Sequence, residues 1–299
     1  MSKAQVHVAI ALLLQQQKVL VGWRASHQHQ GNKYEFPGGK VEQNETPVQA
    51  CRREVQEEVG IDIETWHASD VIRHEYDDII VYLHIFYAIL PLNDTQTLKT
   101  PWTWYTRSEL NNLNFPKAND SILQRLYWKH EIKIGEQLTD LEHLKDSQYL
   151  YLRQPLSDAL LEELNALPAE RFAQLILNID VYSALNADQQ QGLAAIHLKQ
   201  QQLMSIKPNQ LQIGRRYIAA CHDQVSAISA QQIGCDAILL SPVQATATHE
   251  NVPALGWEAF EDIARRLEIP VFALGGLKPT DLSRAQGHHA YGVAGIREF

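Results

Sequence analysis

Residues 35–61 read EFPGGKVEQNETPVQACRREVQEEVGI. Glutamates crowd between paired glycines and a helix that its own residues announce. Thr46 is an N-cap, Pro47 suits the first helical position, and Gln49 completes a capping box with Thr46. Gly60 is placed to end the helix in a left-handed cap. The spacing predicts a helix over 47–59 with Val48, Cys51, Val55 and Val59 as its apolar stripe. Glu54, Glu57 and Glu58 fall at i, i+3 and i+4, within one sector of roughly 100°. Like charges at that spacing cost about 0.2–0.5 kcal/mol per pair, and the helix dipole disfavours anions near a C-terminus. One reading is a solvated acidic face. The other is a cradle for a hard divalent cation, which takes oxygen ligands and shares them with substrate phosphates.

The rest of the chain sets the bounds. Its 299 residues suggest one large or two ordinary domains, and 45% hydrophobic with 20% charged residues is a globular composition. The net charge of −9 argues against non-specific binding to nucleic acid or an anionic membrane. The apolar run Val6–Leu14 is broken by His7 and is too short to span a bilayer. It reads as a buried strand. Cys51, Cys221 and Cys235 form no C-x-x-C pair, so a reducing cytoplasm is the expected location. The histidines are scattered without zinc spacing, and His27, His29, His288 and His289 read as surface residues. The oligomeric state is not written in the sequence.

Along the chain, VHVAIALLL, KVLVGW and DIIVYLHIFYAIL read as strands, the last as one strand or a hairpin pair. SILQRLYWKHEI has helical spacing, with Ile122, Leu123, Leu126 and Tyr127 on one face. The expected organisation is a first domain over 1–132, a polar linker over 133–147 and a second domain over 148–299. In the second, seven short apolar runs (YLYLR, FAQLILNI, AAIHLK, RYIAAC, AILLSPV, PVFALGG, YGVAGI) alternate with helical segments. Near-continuous apolar strands mean a parallel sheet covered on both faces, and glycines at strand ends favour a β/α barrel. The leading strand of that barrel is not evident, so an incomplete barrel is expected.

The spacing Gly39, Glu45, Arg53-Glu54-Val55, Glu57-Glu58, Gly60-Ile61 matches G-x5-E-x7-R-E-U-x-E-E-x-G-U at every defined position, U being aliphatic. In this the chain resembles the Nudix hydrolases, and its flanks resemble the MutT branch, which converts 8-oxo-dGTP to 8-oxo-dGMP and pyrophosphate in nucleotide-pool sanitation. The resemblance implies an α+β fold, a mixed sheet sandwiched by helices. It implies Mg²⁺, with Mn²⁺ as a substitute, held by Glu54, Glu57, Glu58 and the backbone of Gly39. It makes Glu54, Glu57, Glu58, Arg53 and Glu45 the catalytic set, Arg53 and Glu45 holding helix and loop. It places Arg24, Glu35, Phe36, Tyr76 and Asn119 at the nucleotide, Asn119 against the purine edge. From local sequence alone, Asn119 reads equally as a turn or N-cap residue. The extra Glu of MutT proteins before the last strand is absent here, where Asp94 is the loop's only acid.

The second half resembles thiamine monophosphate synthase and the related TenI proteins, which are β/α barrels. The resemblance implies phosphate handling by Thr246, Thr248, Gly275, Gly276 and Gly295; simple turn geometry is the competing reading of the glycines. The chain departs from the synthases at Ile179, Gln202 and His249, which stand for Asp, Asp and Lys. Isoleucine cannot ligate Mg²⁺, so a ligand-binding domain or a degenerate scaffold is expected. The alternative function is therefore hydrolysis of another pyrophosphate, thiamine-related, with the barrel as sensor or scaffold.

Overall fold

Strand β1 (Ala4–Gln15) is the apolar run at the N-terminus, and it organises the first half of the structure. Ala9, Ala11 and Leu13 enter one core, while Ile10, Leu12 and Leu14 enter another. A strand buried on both faces reads as a continuous apolar run rather than an alternation. The computed structural model describes residues 3–26, 31–90, 98–245 and 253–299. The chain divides into two units, Met1–Trp128 and Lys129–Phe299.

In the first unit β1 is followed by β2 (Lys18–Arg24), β3 (Lys33–Glu35), β4 (Gly38–Lys40), β5 (His67–Glu75), β6 (Ile79–Ile89) and β7 (Thr103–Thr106). The sheet order is β3-β2-β1-β6-β5, with β4 on β1 and β7 on β2. The β1–β6 pair is parallel over Ala4–Leu14 and the other pairs are antiparallel, which makes the sheet mixed. DIIVYLHIFYAIL is one strand, β6, not a hairpin pair.

Helix α1 (Pro47–Glu58) covers one face of the sheet, and Leu110, Ile122 and Leu126 of α2 (Arg107–Leu110) and α3 (Asp120–Leu126) pack on the other. The capping box of α1 forms as expected: the Thr46 hydroxyl accepts from the Gln49 N–H, and the Gln49 side chain accepts from the Thr46 N–H at 2.8 Å. Gly60 follows at φ +91°, where an L side chain would be strained. Cys51, Val55 and Val59 are fully buried. Val48 is not part of the stripe: it is 37% exposed, and Ala50 takes its place against the sheet.

The second unit corrects the expected incomplete barrel. Its strands are β8 (Glu131–Gly135), β9 (Gln148–Leu152), β10 (Leu175–Asn178), β11 (Ala195–Leu198), β12 (Tyr217–Cys221), β13 (Ala237–Leu240), β14 (Val271–Leu274) and β15 (Gly292–Gly295). They close as an eight-stranded barrel of parallel neighbours, β15 returning to β8. The seven runs read from the sequence are β9 to β15. The eighth strand comes from a stretch assigned partly to a helix and partly to the linker. Helix α3 stops at Leu126, and EIKIG forms β8 between β15 and β9. Its polar residues are anchored: Glu131 accepts from Gln148 at 2.8 Å and Lys133 pairs with Asp140 at 3.0 Å. Residues 133–147 thus belong to the barrel and its first turn, where Leu141 is buried.

Helices α4 (Asp158–Ala166), α5 (Ile179–Tyr182), α6 (Ala187–Gly192), α7 (Gln200–Ser205), α8 (Gln224–Ile233), α9 (Gly256–Ala264) and α10 (Leu282–Gly287) follow the strands. Alternate strand residues such as Leu150, Leu152, Leu175 and Leu177 pack on Leu160, Leu164 and Phe172. The three cysteines are buried and in no disulfide. Among the described residues no helix is long and apolar enough to cross a membrane.

Candidate active site

Helix α1 lies over β1 and β4, and that contact assembles the acidic residues. A Cβ on Gly39 would run into the Glu54 carboxylate, and one on Gly38, at φ +146°, would run into the Ala9 carbonyl. The paired glycines let the loop backbone approach the helix this closely. The Gly38 N–H donates to Glu58 Oε2 at 3.1 Å.

Arg53 ties loop and helix together. It donates to both oxygens of Glu45 (2.8 and 3.3 Å), to Glu54 Oε1 (2.8 Å), to the Lys40 carbonyl (3.2 Å) and, more distantly, to Glu57 (3.4 Å). Glu45 also accepts from the Glu42 N–H at 2.6 Å. Arg53, and then that N–H, hold the Glu45 carboxyl below the usual carboxylate range. Two residues that sequence reasoning missed secure the helix end. Lys99 Nζ donates to the Glu57 carbonyl at 2.8 Å, and the Trp102 indole donates to the Glu58 carbonyl at 3.0 Å. They satisfy carbonyls that a helix C-terminus leaves without partners, and Lys99 brings the charge that end prefers. The signal was faint, since KTPW shows no periodicity.

Glu58 is the strained member of the cluster. Burial pushes its carboxyl up to about 7; Glu35 and Glu54 add repulsion, while the Gly38 N–H and Arg24 oppose the shift. Arg24 lies on this side of the sheet, donating from Nε to Glu35 at 2.7 Å. The acids offer only oxygen donors, which suits a hard cation. In the described side-chain positions Arg53 occupies Glu54, and among the described residues no three His, Cys, Asp or Glu side chains converge as a metal-holding set. An ion here needs Glu54 to turn from Arg53, and the missing Cβ at Gly39 is what gives the Glu54 carboxylate its place over the loop.

The opposite face of the sheet is different. Phe36 is 3% exposed and stacks on Phe115 at 4.9 Å. Asn119 is 7% exposed yet makes no capping bond to α3, and its amide has no hydrogen-bond partner among the described residues. Asn119 ends the 3-10 turn Lys117–Asn119 and stands at the N-cap position of α3, so the turn reading holds while the side-chain capping bond does not form. Tyr76 packs against this core, edge-on to His74 at 4.5 Å. The structure thus separates the residues into an acidic group (Arg24, Glu35, Glu45, Arg53, Glu54, Glu57, Glu58) and an apolar group (Phe36, Tyr76, Asn119), joined through the Glu35–Gly39 segment.

In the barrel, Gly275 (φ +111°) and Gly276 (φ +70°) follow β14, and a Cβ on Gly275 would press on Pro242. A Cβ on Gly295 would meet the Phe299 ring. Thr246, Thr248 and His249 lie outside the described residues, as does Asp94. Gln202 bonds to both ends of the Asn178 amide (2.9 and 3.2 Å) and to Asp180 at 3.1 Å.

Residues 8–125 match the family model of the NUDIX domain, and residues 152–299 that of thiamine monophosphate synthase. The 8-oxo-dGTP diphosphatase of Escherichia coli strain K12 is 34% identical over 128 residues, 42% of this chain and 98% of that protein. The enzyme of the same name from Proteus vulgaris is 39% identical over 87 residues, 29% of this chain and 78% of its own. A putative thiamine-phosphate synthase 2 from Aquifex aeolicus is 30% identical over 145 residues, 47% of this chain and 73% of its own.

Proposed function

This chain belongs to the Nudix hydrolases, with a barrel of the thiamine monophosphate synthase family fused behind that domain, and from that premise we propose that it is a Mg²⁺-dependent 8-oxo-dGTP diphosphatase. Water adds across a phosphoanhydride, giving 8-oxo-dGMP and pyrophosphate. The observation that carries the reading is the division at the Glu35–Gly39 segment. Carboxylates lie to one side, and stacked Phe36 and Phe115 with the Asn119 side chain, which makes no capping bond, lie to the other. A ligand with a polyanionic end and a flat, hydrogen-bonding end fits both.

In this reading Glu54, Glu57, Glu58 and the Gly39 backbone hold the ion, with Mn²⁺ as a substitute for Mg²⁺. The bound ion neutralises the phosphates and lowers the pKa of a water. Arg53 and Glu45 fix the loop against α1, which sets where the carboxylates point. One carboxylate orients the attacking water and takes its proton. Arg24 and Glu35 border the nucleotide, Phe36 and Tyr76 give the base an apolar surface, and Asn119 supplies both a donor and an acceptor to its edge. The small-molecule nucleotide is the expected partner, and the cytoplasm the expected location.

A second reading is hydrolysis of a thiamine-related pyrophosphate, favoured by the fused barrel with its Gly275, Gly276 and Gly295 strand ends. Thr246 and Thr248 would join them in holding a phosphate. Steady-state hydrolysis of 8-oxo-dGTP, dGTP and thiamine pyrophosphate by the full chain with Mg²⁺ separates the two. A preference for 8-oxo-dGTP of about a hundredfold in kcat/KM, about 2.7 kcal/mol, supports the first; preference for the thiamine compound replaces it with the second.

A further inference from the structure

One pair of side chains outside the acidic cluster is arranged as a ligand pair and has no part in the hydrolytic reading. His7 on β1 and His84 on β6 bring Nδ1 and Nε2 to 2.9 Å. Their ring centroids are 5.2 Å apart with 27° between the planes, and His7 also stacks on Tyr82 at 4.9 Å. His7 is exposed and His84 half-buried, so water reaches the pair. Its position is fixed by the strand register. His7 pairs with Tyr82 and Ala9 with His84, so the two histidines sit diagonally on neighbouring parallel strands.

Two imidazole nitrogens this close share either a proton or a metal ion. At 2.9 Å the ion-free pair is hydrogen-bonded, one ring donating to the other, and an ion taking both nitrogens would replace that proton. With metal–nitrogen bonds of about 2.0–2.1 Å, nitrogens 2.9 Å apart subtend an angle whose half has a sine of about 1.45/2.05, hence about 90°. That is the cis angle of a square-planar or tetragonal ion, the geometry of Cu²⁺ and Ni²⁺. A tetrahedral ion such as Zn²⁺ would need the nitrogens opened to about 3.3 Å.

We propose that His7 and His84 form a chelating site for a tetragonal divalent transition-metal ion, Cu²⁺ ahead of Ni²⁺. Among the described residues no third His, Cys, Asp or Glu joins them, so water fills the remaining positions and the ion exchanges readily. The protons balance. In the neutral pair one ring donates to the other, and on binding that proton moves through solvent to the donor ring's second nitrogen, with no net release. The site is separate from the carboxylates. Ala9 pairs with Gly39 on one side and His84 on the other, which puts His84 two strand spacings, roughly 10 Å, from Gly39. Nitrogen donors select a borderline ion, and the oxygen donors across β1 select a hard one.

The test is titration of the full chain with CuSO₄, glycine as competing chelator and Mg²⁺ in excess, followed by electron paramagnetic resonance. The set is the wild type, His7→Ala, His84→Ala and His84→Asn. The expected result is a strongest site with two equatorial nitrogens in the wild type. Each variant loses one nitrogen and at least tenfold in affinity, with Mg²⁺-dependent hydrolysis unchanged. Equal affinity and nitrogen count in the wild type and His7→Ala overturn the site. His7 is exposed, so that variant keeps the test decisive even where changes at His84 disturb the sheet.

Discussion

Glu58 in the first unit and the Asn178–Gln202 pair in the second are both enclosed polar groups, and they have opposite electrostatics. Glu58 is buried beside Glu35 and Glu54, and its carboxyl is pushed up to about 7. In the barrel Ile179 is apolar, and the Gln202 amide is bonded to Asn178 and Asp180. The first arrangement holds charges that a cation would relieve; the second is already satisfied. A residual electrostatic cost marks a site better than a family likeness does, because a satisfied network gains little from a ligand.

The sharpest way to break that contrast is Glu54→Gln, which removes charge and basicity with little change in volume. Hydrolysis of 8-oxo-dGTP should fall by about 10²–10⁴-fold while circular dichroism stays that of the wild type. Turnover near the wild-type rate would end the metal assignment. Asn119→Ala comes next. Losing its hydrogen bonds to the base should cost about 1–3 kcal/mol, read as a loss of about 5-fold to 160-fold in preference for 8-oxo-dGTP over dGTP. An unchanged ratio would move base recognition elsewhere.

A pH series sharpens the electrostatic half. The raised Glu58 carboxyl keeps its proton in the folded chain at pH values where the unfolded chain has lost it. Ion-free stability from this group is therefore full below about 4.5 and declines as pH rises toward about 7. Thermal unfolding should show that decline without divalent ion, and Mg²⁺ should flatten it. A slope identical with and without Mg²⁺ would separate Glu58 from the ion. The smallest effect on chemistry is expected from Gln202→Ala. It should lower the unfolding midpoint slightly, since the Asn178 amide loses two bonds to Gln202 but keeps the His197 carbonyl and the Asp180 N–H, and leave kcat/KM for 8-oxo-dGTP within about twofold, as expected of a change away from the hydrolytic site. A large loss of hydrolysis would make the barrel part of catalysis.

Strand β8 shows where sequence reading stops. EIKIG alternates polar and apolar residues and continues a helical pattern, and its partner on one side, β15, lies some 160 residues further along the chain. Nothing local declares that pairing. Asn119 is a second case: its neighbours allow a helix cap, and the missing capping bond appears only once α3 is placed. Arg24 is a third, since strand alternation alone does not say which face of β2 meets α1.

By itself the sequence determined the loop–helix unit, because caps, glycines and helical spacing act within a few residues of one another. It also determined the long strands of the first unit and the seven barrel strands that follow, through apolar runs that bury both faces, while the mixed sheet was implied by the family resemblance. Only the tertiary structure decided that Glu58 carries the electrostatic cost, that Lys99 and Trp102 close the helix end, that the barrel is complete, and that His7 meets His84. Each depends on burial or on partners far apart in the chain, and the free energy of burial is a property of the packed neighbours rather than of the residue.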